Sequence, residues 1–476
     1  MSVLPAAGIA FDATVPVAVI GGGACGLIAA LAAHDRGAEV VVFERDASPS
    51  GSTALSSGFI PAAGTRYQRA KGIADSPELL ARDLQGKAHG QADPTVVAMV
   101  AHGSGPTIEW LVDRHGLEFV LLEGFLYPGH SVLRMHAHPR KTGAALMGAL
   151  LDAVARAGID VVTSARVVDL HADADGRVRG FRVERPDGGS ERIGCDALVL
   201  ACNGYGGNRA MVRRYIPEMA DALYFGHVGN QGDAVQWGEA LGGVAKHMGA
   251  YQGHGSVAHP HGVLVTWALM MEGGIQVNAE GRRFSNEHHG YSEQAVAVLA
   301  QPGGIAWNLY DARLHALGRE FEDYREAEAA GAIKRADDLS SLAAVTGLPA
   351  DRLAETLAAV ARCRRGEDTD PFGRDFTTKP PLAAPYYAVK VTGALFHTQG
   401  GLAVDDRARV LRRDGTPLPN LFAGGGAACG ASGPEVSGYL SGNGLLSAVT
   451  MGRVAGESAA EFVAGGAGAN AAAAEP

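Results

Sequence analysis

Three glycines, Gly21, Gly23 and Gly26, stand at the spacing G-x-G-x-x-G directly after the apolar run Val17-Ala18-Val19-Ile20. The first permits a tight turn, the second lets backbone approach a pyrophosphate, and the third allows a helix to pack closely on a strand. A phosphate then lies at a helix N-terminus, where unpaired N–H groups and the helix dipole favour an anion. Glu44 closes a second apolar strand over residues 39–43 and is placed to bond ribose hydroxyls. An acid there suits an unphosphorylated ribose, hence the adenosine of FAD or NAD rather than NADP. The small-residue loop 51–58, with Ser52, Thr53, Ser57 and Gly58, would let backbone approach a large planar ring.

The elements that must hold these residues are a strand, a glycine turn, a helix over residues 27–36 and a second strand. Residues 141–157 carry Leu146, Leu150 and Val154 on one helical face, and Asp175-Gly176 and Asp187-Gly188 mark hairpins. Residues 197–201 form a buried strand closed by Asn203-Gly204. Beyond Gly242 the pattern predicts histidine-rich loops and then, over 309–364, polar amphipathic helices, before strand texture returns near Pro380. The fold class expected is α/β: a Rossmann-like dinucleotide-binding domain over 1–245 and 385–463, an α+β capping domain inserted over 246–384, and a disordered tail over 464–476.

Composition narrows the function. The net charge of −10 over 476 residues argues against nucleic-acid binding. Five cysteines without CxxC pairing imply neither zinc nor a disulfide framework, so no metal is expected. No stretch reads as a signal peptide or membrane span, which makes a cytoplasmic enzyme the expectation.

Further strings occur in a fixed order: Gly229-Asn230-Gln231-Gly232-Asp233, Glu280-Gly281-Arg282-Arg283-Phe284-Ser285-Asn286-Glu287, His397-Thr398-Gln399-Gly400-Gly401, Leu421-Phe422-Ala423-Gly424-Gly425 and Ser441-Gly442-Asn443-Gly444-Leu445. With the glycine turn they make the chain, from about Val15 to Gly456, resemble the flavoprotein group of fumarate reductases, succinate dehydrogenases and 3-ketosteroid dehydrogenases. The resemblance implies FAD between a Rossmann-like domain and a cap. Its contacts would include Gly21, Gly23, Ala24, Gly26, Glu44, Arg45, Ser52, Thr53, Ser57, Gly58, Val167, Asn203, Gly204, Asp233, Gly425, Leu445 and Leu446. No histidine lies between Arg45 and Gly64, so the FAD is expected to be non-covalent.

The dicarboxylate enzymes of that group carry a proton-transferring arginine four residues after the Asn-Glu pair and a carboxylate-clamping arginine before the last glycine string. Here these places fall on Tyr291 and Tyr439. A phenol cannot replace bidentate arginine recognition of a carboxylate. Two phenols suit a ketone, one removing the α-proton and one holding the carbonyl oxygen. The pair resembles the ketosteroid dehydrogenase branch, with Tyr291 as base and Tyr439, Gly442 and Gly444 at the oxygen. His288 or His289 would tune Tyr291 or meet substrate, while His397 corresponds to a substrate-side histidine. Tyr127 falls where an extra active-site tyrosine can stand. The string His130, Arg134, His136, His138, Arg140 could receive a substrate carboxylate.

The reading is thus FAD-dependent α,β-desaturation of a cyclic ketone, either a 3-ketosteroid or a small cyclohexanone such as 4-oxocyclohexanecarboxylate. An external acceptor such as oxygen or a quinone would reoxidise the flavin. The alternatives are reduction of an unsaturated carboxylate and a flavin-binding electron-transfer subunit without turnover.

Overall fold

The computed structural model describes residues 2–472. Four strands, Pro417–Ala423, Ser190–Leu200, Ala13–Ile20 and Val40–Phe43, lie side by side and parallel, and Asp160–Val162 continues the parallel run at one edge. Val17, Ala18 and Val19 are fully buried because helices and loops cover both faces, which is why the run is apolar without alternation. The antiparallel strands Arg166–Ala172 and Val178–Glu184 complete the other side, turning at Asp175-Gly176 and Asp187-Gly188 as the sequence predicts. The helix expected near 141–157 is Gly143–Arg156, capped by Thr142, with Leu146, Leu150 and Val154 buried.

Helix Ala24–Asp35 leaves the first strand through the glycine turn and packs against the closing helix Asn443–Ala472. The turn itself is tight enough that Gly21 and Gly26 can be only glycine. A Cβ on Gly26 would lie 1.9 Å from the carbonyl oxygen of Gly21, and Gly21 itself has φ +109°.

A second sheet has the order Val263–Leu264, Tyr251–Ala258, Tyr386–Thr398, Ile305–Asp311, Ile275–Val277, with Leu223–Tyr224 and Ile333–Ala336 also paired to the central strand. One expectation changes here. The histidine-rich stretch after Gly242 contains a buried strand rather than loops alone, because pairing with Tyr386–Thr398 overrides the weak strand propensity of Gly253 and Gly255. The sheet's central strand begins at Tyr386, and Leu223–Tyr224 joins it from the other side.

Helices Ala312–Gly318, Glu322–Ala329, Leu339–Thr346 and Ala350–Arg364 follow in the polar region. The tail expected from 464 is helical through Ala472, since alanine carries the highest helix propensity and prolongs a helix already started. Residues 473–476 of that expected tail lie outside the described residues. Among the described residues no helix is long and apolar enough to cross a membrane.

A Gly26→Ala substitution is expected to force Ala24–Asp35 off the turn, costing about 1–3 kcal/mol and releasing flavin. The melting temperature and the flavin-to-protein absorbance ratio of the purified variant check both effects.

Candidate active site

One deep cavity runs from the glycine turn to the second sheet. At its first end stand Gly21, Gly23, Ala24, Glu44, Arg45, Val167 and Asp233. Both Glu44 oxygens already work locally: Oε2 accepts the N–H of Gly22 at 2.7 Å and Oε1 that of Asp46 at 2.9 Å. Each oxygen keeps a further lone pair for a hydroxyl donor. Thr53 Oγ1 accepts the N–H of Ala24 at 3.1 Å, pinning the 51–58 loop to the helix start. Ser52 Oγ accepts from the amides of Asn203 and Asn230 at 3.2 and 2.9 Å. Burial raises Asp233 above the usual carboxylate range, with Arg166 and Arg45 opposing it.

These residues fit a dinucleotide. Gly23, which precedes the helix, has no side chain to cap it, only the Ala24 N–H is taken by a side chain among the described residues, that of Thr53, and the first turn carries no acid. The first turn of Asn443–Ala472 likewise carries none, and Gly444, Leu445 and Ala448 of that helix line the same cavity with Gly425, Ser57 and Gly58. Two helix N-termini therefore direct positive dipole ends at one space. Among the described residues no group of three or more His, Cys, Asp or Glu side chains could hold a metal ion.

At the other end Tyr291, Tyr439, Tyr127 and His397 come together with Gly442 and Gly444, all lining the cavity. Tyr291 begins the helix Tyr291–Leu299, and its ring lies 6.0 Å from that of Tyr439. Burial pushes the Tyr291 phenol up to about 12, although Ser441, Tyr439 and the Gly442 N–H all favour its ionised form. Burial also raises Tyr439 well above the usual phenol range, and its hydroxyl donates to Gln252 Oε1 at 2.9 Å. The N–H of Gly444 reaches Tyr439 Oη at 3.5 Å. A Cβ on Gly444 would lie 2.6 Å from His397 Nε2, so only glycine lets that ring lie against the helix start. Desolvation holds His397 down at about 4, leaving it neutral.

Several expected site residues lie elsewhere. Gly26, Gly204, Leu446, His288 and His289 do not line the cavity. Gly26 is a packing position, and Gly204 lets Thr398 approach, a Cβ there meeting Thr398 Oγ1 at 2.0 Å. Leu446 is fully buried in the core. His288 is tied through Nε2 to the carbonyl oxygen of Met270 at 3.2 Å, and burial lowers it to about 4, so it brings no charge to Tyr291. His289 offers its carbonyl oxygen to Lys87 Nζ at 2.8 Å.

The basic side chains of the string from His130 to Arg140 do not gather at the cavity. Arg134 is buried and already paired with Asp75, at 2.9 Å, and with Asp83, while burial pushes His130 and His136 down to about 4. None of its basic side chains lines the cavity. Arg45 and Arg166 are the arginines that do, no lysine joins them among the described residues, and both act on Asp233 at the first end.

Sequence reasoning missed Gln252 and His254. Their separation by two residues puts both on one face of Tyr251–Ala258, a signal hidden by reading that stretch as loop. His254 stacks on Tyr291 at 4.8 Å and on Phe396 at 5.4 Å, with Trp267 edge-on at 5.8 Å, and burial lowers it to about 3. The Glu280–Glu287 string turns out to be framework: Glu287 pairs with Arg283 at 2.7 Å and Arg374 at 2.9 Å and is held down at about 2.

A family model described as "FAD binding domain" matches residues 16–445. A fumarate reductase (cytochrome) of Shewanella frigidimarina is 32% identical over 455 residues, covering 94% of this chain and 77% of that protein. The open conformation of a flavocytochrome c3 fumarate reductase matches with a TM-score of 0.80 at 30% identity, over 95% of this chain and 79% of the other. A 3-ketosteroid-Δ4-(5α)-dehydrogenase from Rhodococcus jostii RHA1, in complex with 4-androstene-3,17-dione, matches with a TM-score of 0.75 at 25% identity, over 96% and 99%.

The buried histidines set an acid limit. Folded values near 4 for His397 and 3 for His254 lie below the unfolded 6.5, so their stabilising effect is whole above pH 6.5 and lost as pH falls towards those values. By about pH 5 each is expected to have given up about 2 kcal/mol. Glu287 contributes nothing to that change, since its effect fades only between its unfolded 4.5 and about 2. Thermal melts in matched buffers at pH 7.5 and pH 5 should show a fall of several degrees; equal midpoints would contradict the assignment.

Proposed function

This chain belongs to the FAD-binding-domain family of flavoproteins and is an FAD-dependent oxidoreductase acting on CH–CH groups; from that premise we propose that it desaturates an uncharged cyclic ketone at the bond α,β to the carbonyl. The observation that carries this is the cation-free inner end of the cavity, where Tyr291 and Tyr439 stand with neutral His254 and His397. A dicarboxylate would be desolvated there without a counter-charge, at a cost of several kcal/mol. A ketone needs only a hydrogen-bond donor at its oxygen.

FAD, when bound, supplies the acceptor for the β-hydride. The chain's own residues handle the proton and the oxygen. A carbonyl oxygen gaining charge as the α-proton leaves would be met by Tyr439, its hydroxyl turning from Gln252, and by the N–H groups of Gly442 and Gly444. Tyr291 takes that proton, helped by the donors that favour its ionised form. Phe396, Trp267 and Phe59 exclude water from the ring. The same groups run in reverse would reduce the ring enone, with Tyr291 as the acid. A 3-ketosteroid is the substrate type supported by the Rhodococcus relative; a carboxylated ring such as 4-oxocyclohexanecarboxylate finds no partner for its carboxylate. We further propose that the FAD is non-covalent and that an external acceptor reoxidises it.

Reduction of an unsaturated carboxylate is the second reading, favoured by the fumarate reductase relatives and by His397 at the cavity wall. It is opposed by the missing cations.

Anaerobic mixing of the yellow protein with 3-ketosteroids and with unsubstituted cyclohexanones is expected to bleach the flavin, and succinate is expected to leave it oxidised. Bleaching by succinate alone would overturn the proposal. Tyr291→Phe should slow bleaching by about 10²–10⁴-fold. Because the ionised fraction of a phenol at about 12 grows about tenfold per pH unit below that value, the desaturation rate should climb with pH, whereas enone reduction, using the protonated phenol, should not.

A further inference from the structure

Asp323 is an acid without an evident task. It lies in the first turn of the cap helix Glu322–Ala329, where an aspartate ordinarily serves its own helix's free N–H groups. Among the described residues it has neither a hydrogen-bond partner nor an ion-pair partner, and what acts on it is burial together with the like charges of Glu326 and Glu322. It nevertheless lines the cavity that holds Tyr291.

Its place is fixed by aromatic packing. Phe321, two residues before it, meets Phe125 at 5.9 Å, and Phe125 meets Tyr127 at 4.9 Å. Tyr127 lines the same cavity, feels the charge of Asp323, and its hydroxyl has no partner among the described residues. A carboxylate from the cap and a phenol from the FAD-binding half thus share one aromatic wall with unused hydrogen-bonding capacity. A partly buried acceptor that finds no donor in its own chain is costly unless something else supplies one.

We propose that Asp323 determines substrate specificity by accepting a hydrogen bond from a hydroxyl or ammonium group on the substrate ring system, with Tyr127 beside it. This rests on the cyclic-ketone reading and narrows it to ketones that carry a donor away from the reacting carbonyl. An apolar or carboxylate substituent at that point would leave the acid unpaired or repelled.

The test is binding to the oxidised holoenzyme, read from perturbation of the flavin spectrum, with matched probes: testosterone against 4-androstene-3,17-dione, and 4-hydroxycyclohexanone and 4-aminocyclohexanone against cyclohexanone. The donor-bearing member of at least one pair is expected to bind about tenfold tighter. Asp323→Leu should abolish that preference and leave the affinity for the donor-free member within about twofold. Asp323→Asn, which keeps an acceptor, should retain part of it for the hydroxyl. Unchanged flavin content and melting temperature show that the variants are folded. Equal binding of both members by the native enzyme, or a preference that survives Asp323→Leu, would overturn the inference while leaving the ketone reading intact. Should no ketone perturb the flavin, that reading falls. The comparison then passes to cyclohexylamine against cyclohexanecarboxylate, where an amine preference lost in Asp323→Leu supports the assignment and its absence refutes it.

Discussion

The strand Tyr386–Thr398 is the centre of the second sheet, and at its end Thr398 Oγ1 accepts the N–H of Tyr205 at 3.2 Å, one residue beyond the Asn203-Gly204 turn that closes a strand of the first sheet. The two sheets are fastened there. His397 is the residue immediately before the fastening point, so its position against the start of the last helix follows from the same contact. The strand Tyr251–Ala258, paired to this one, brings Gln252 opposite His397, and Gln252 in turn holds Tyr439. Displacing Thr398 would disturb the cofactor cradle and the substrate wall at once.

The chemistry of the inner cavity follows from the burial of its side chains. Burial raises the phenols and lowers the imidazoles, and both shifts have the same sign in terms of charge: each group is pushed to its neutral form. Such a site binds a polar but uncharged group well, because donors fixed in a low-dielectric space need no reorganisation when charge develops on an oxygen. It handles a permanent anion poorly. Asp323, half-buried at the aromatic wall, sharpens that selectivity by adding negative rather than positive charge.

What the sequence revealed and what it concealed divide along a physical line. The glycine turn, the first parallel strands and the helix over Gly143–Arg156 were legible because local backbone demands and apolar periodicity specify them. Tyr291, Tyr439, Tyr127 and His397 were legible through ordered strings, and the structure brings all four to one cavity. The strand bearing Gln252 and His254 was not, since its glycines and histidines gain strand structure only from a partner more than a hundred residues away. His288 and His289 misled because adjacency to Tyr291 in sequence is not adjacency in space: the turn at Gly290, φ +146°, separates them from the helix that carries the tyrosine. The basic string at His130 to Arg140 misled for a different reason, its key arginine being spent on Asp75 and Asp83, acids that the sequence places some fifty residues upstream.

Tyr291 and Tyr439 are neighbours in the buried end of the cavity. Their rings lie edge-on 6.0 Å apart, and the Gly442 N–H favours the ionised form of each phenol, so a change at one alters the surroundings of the other. Placing a single arginine at either position would bury one cation beside a phenol and two neutral histidines, and Glu293, the acid that acts on Tyr291, is already paired with Lys87. An unpaired buried charge costs several kcal/mol, more than one added interaction with a substrate carboxylate would return. A change of substrate charge at this site therefore requires a counter-charge as well as an arginine. The pair Tyr291–Tyr439 is best understood as one unit of specificity, and Gln252, which anchors it from the neighbouring sheet, as its third member.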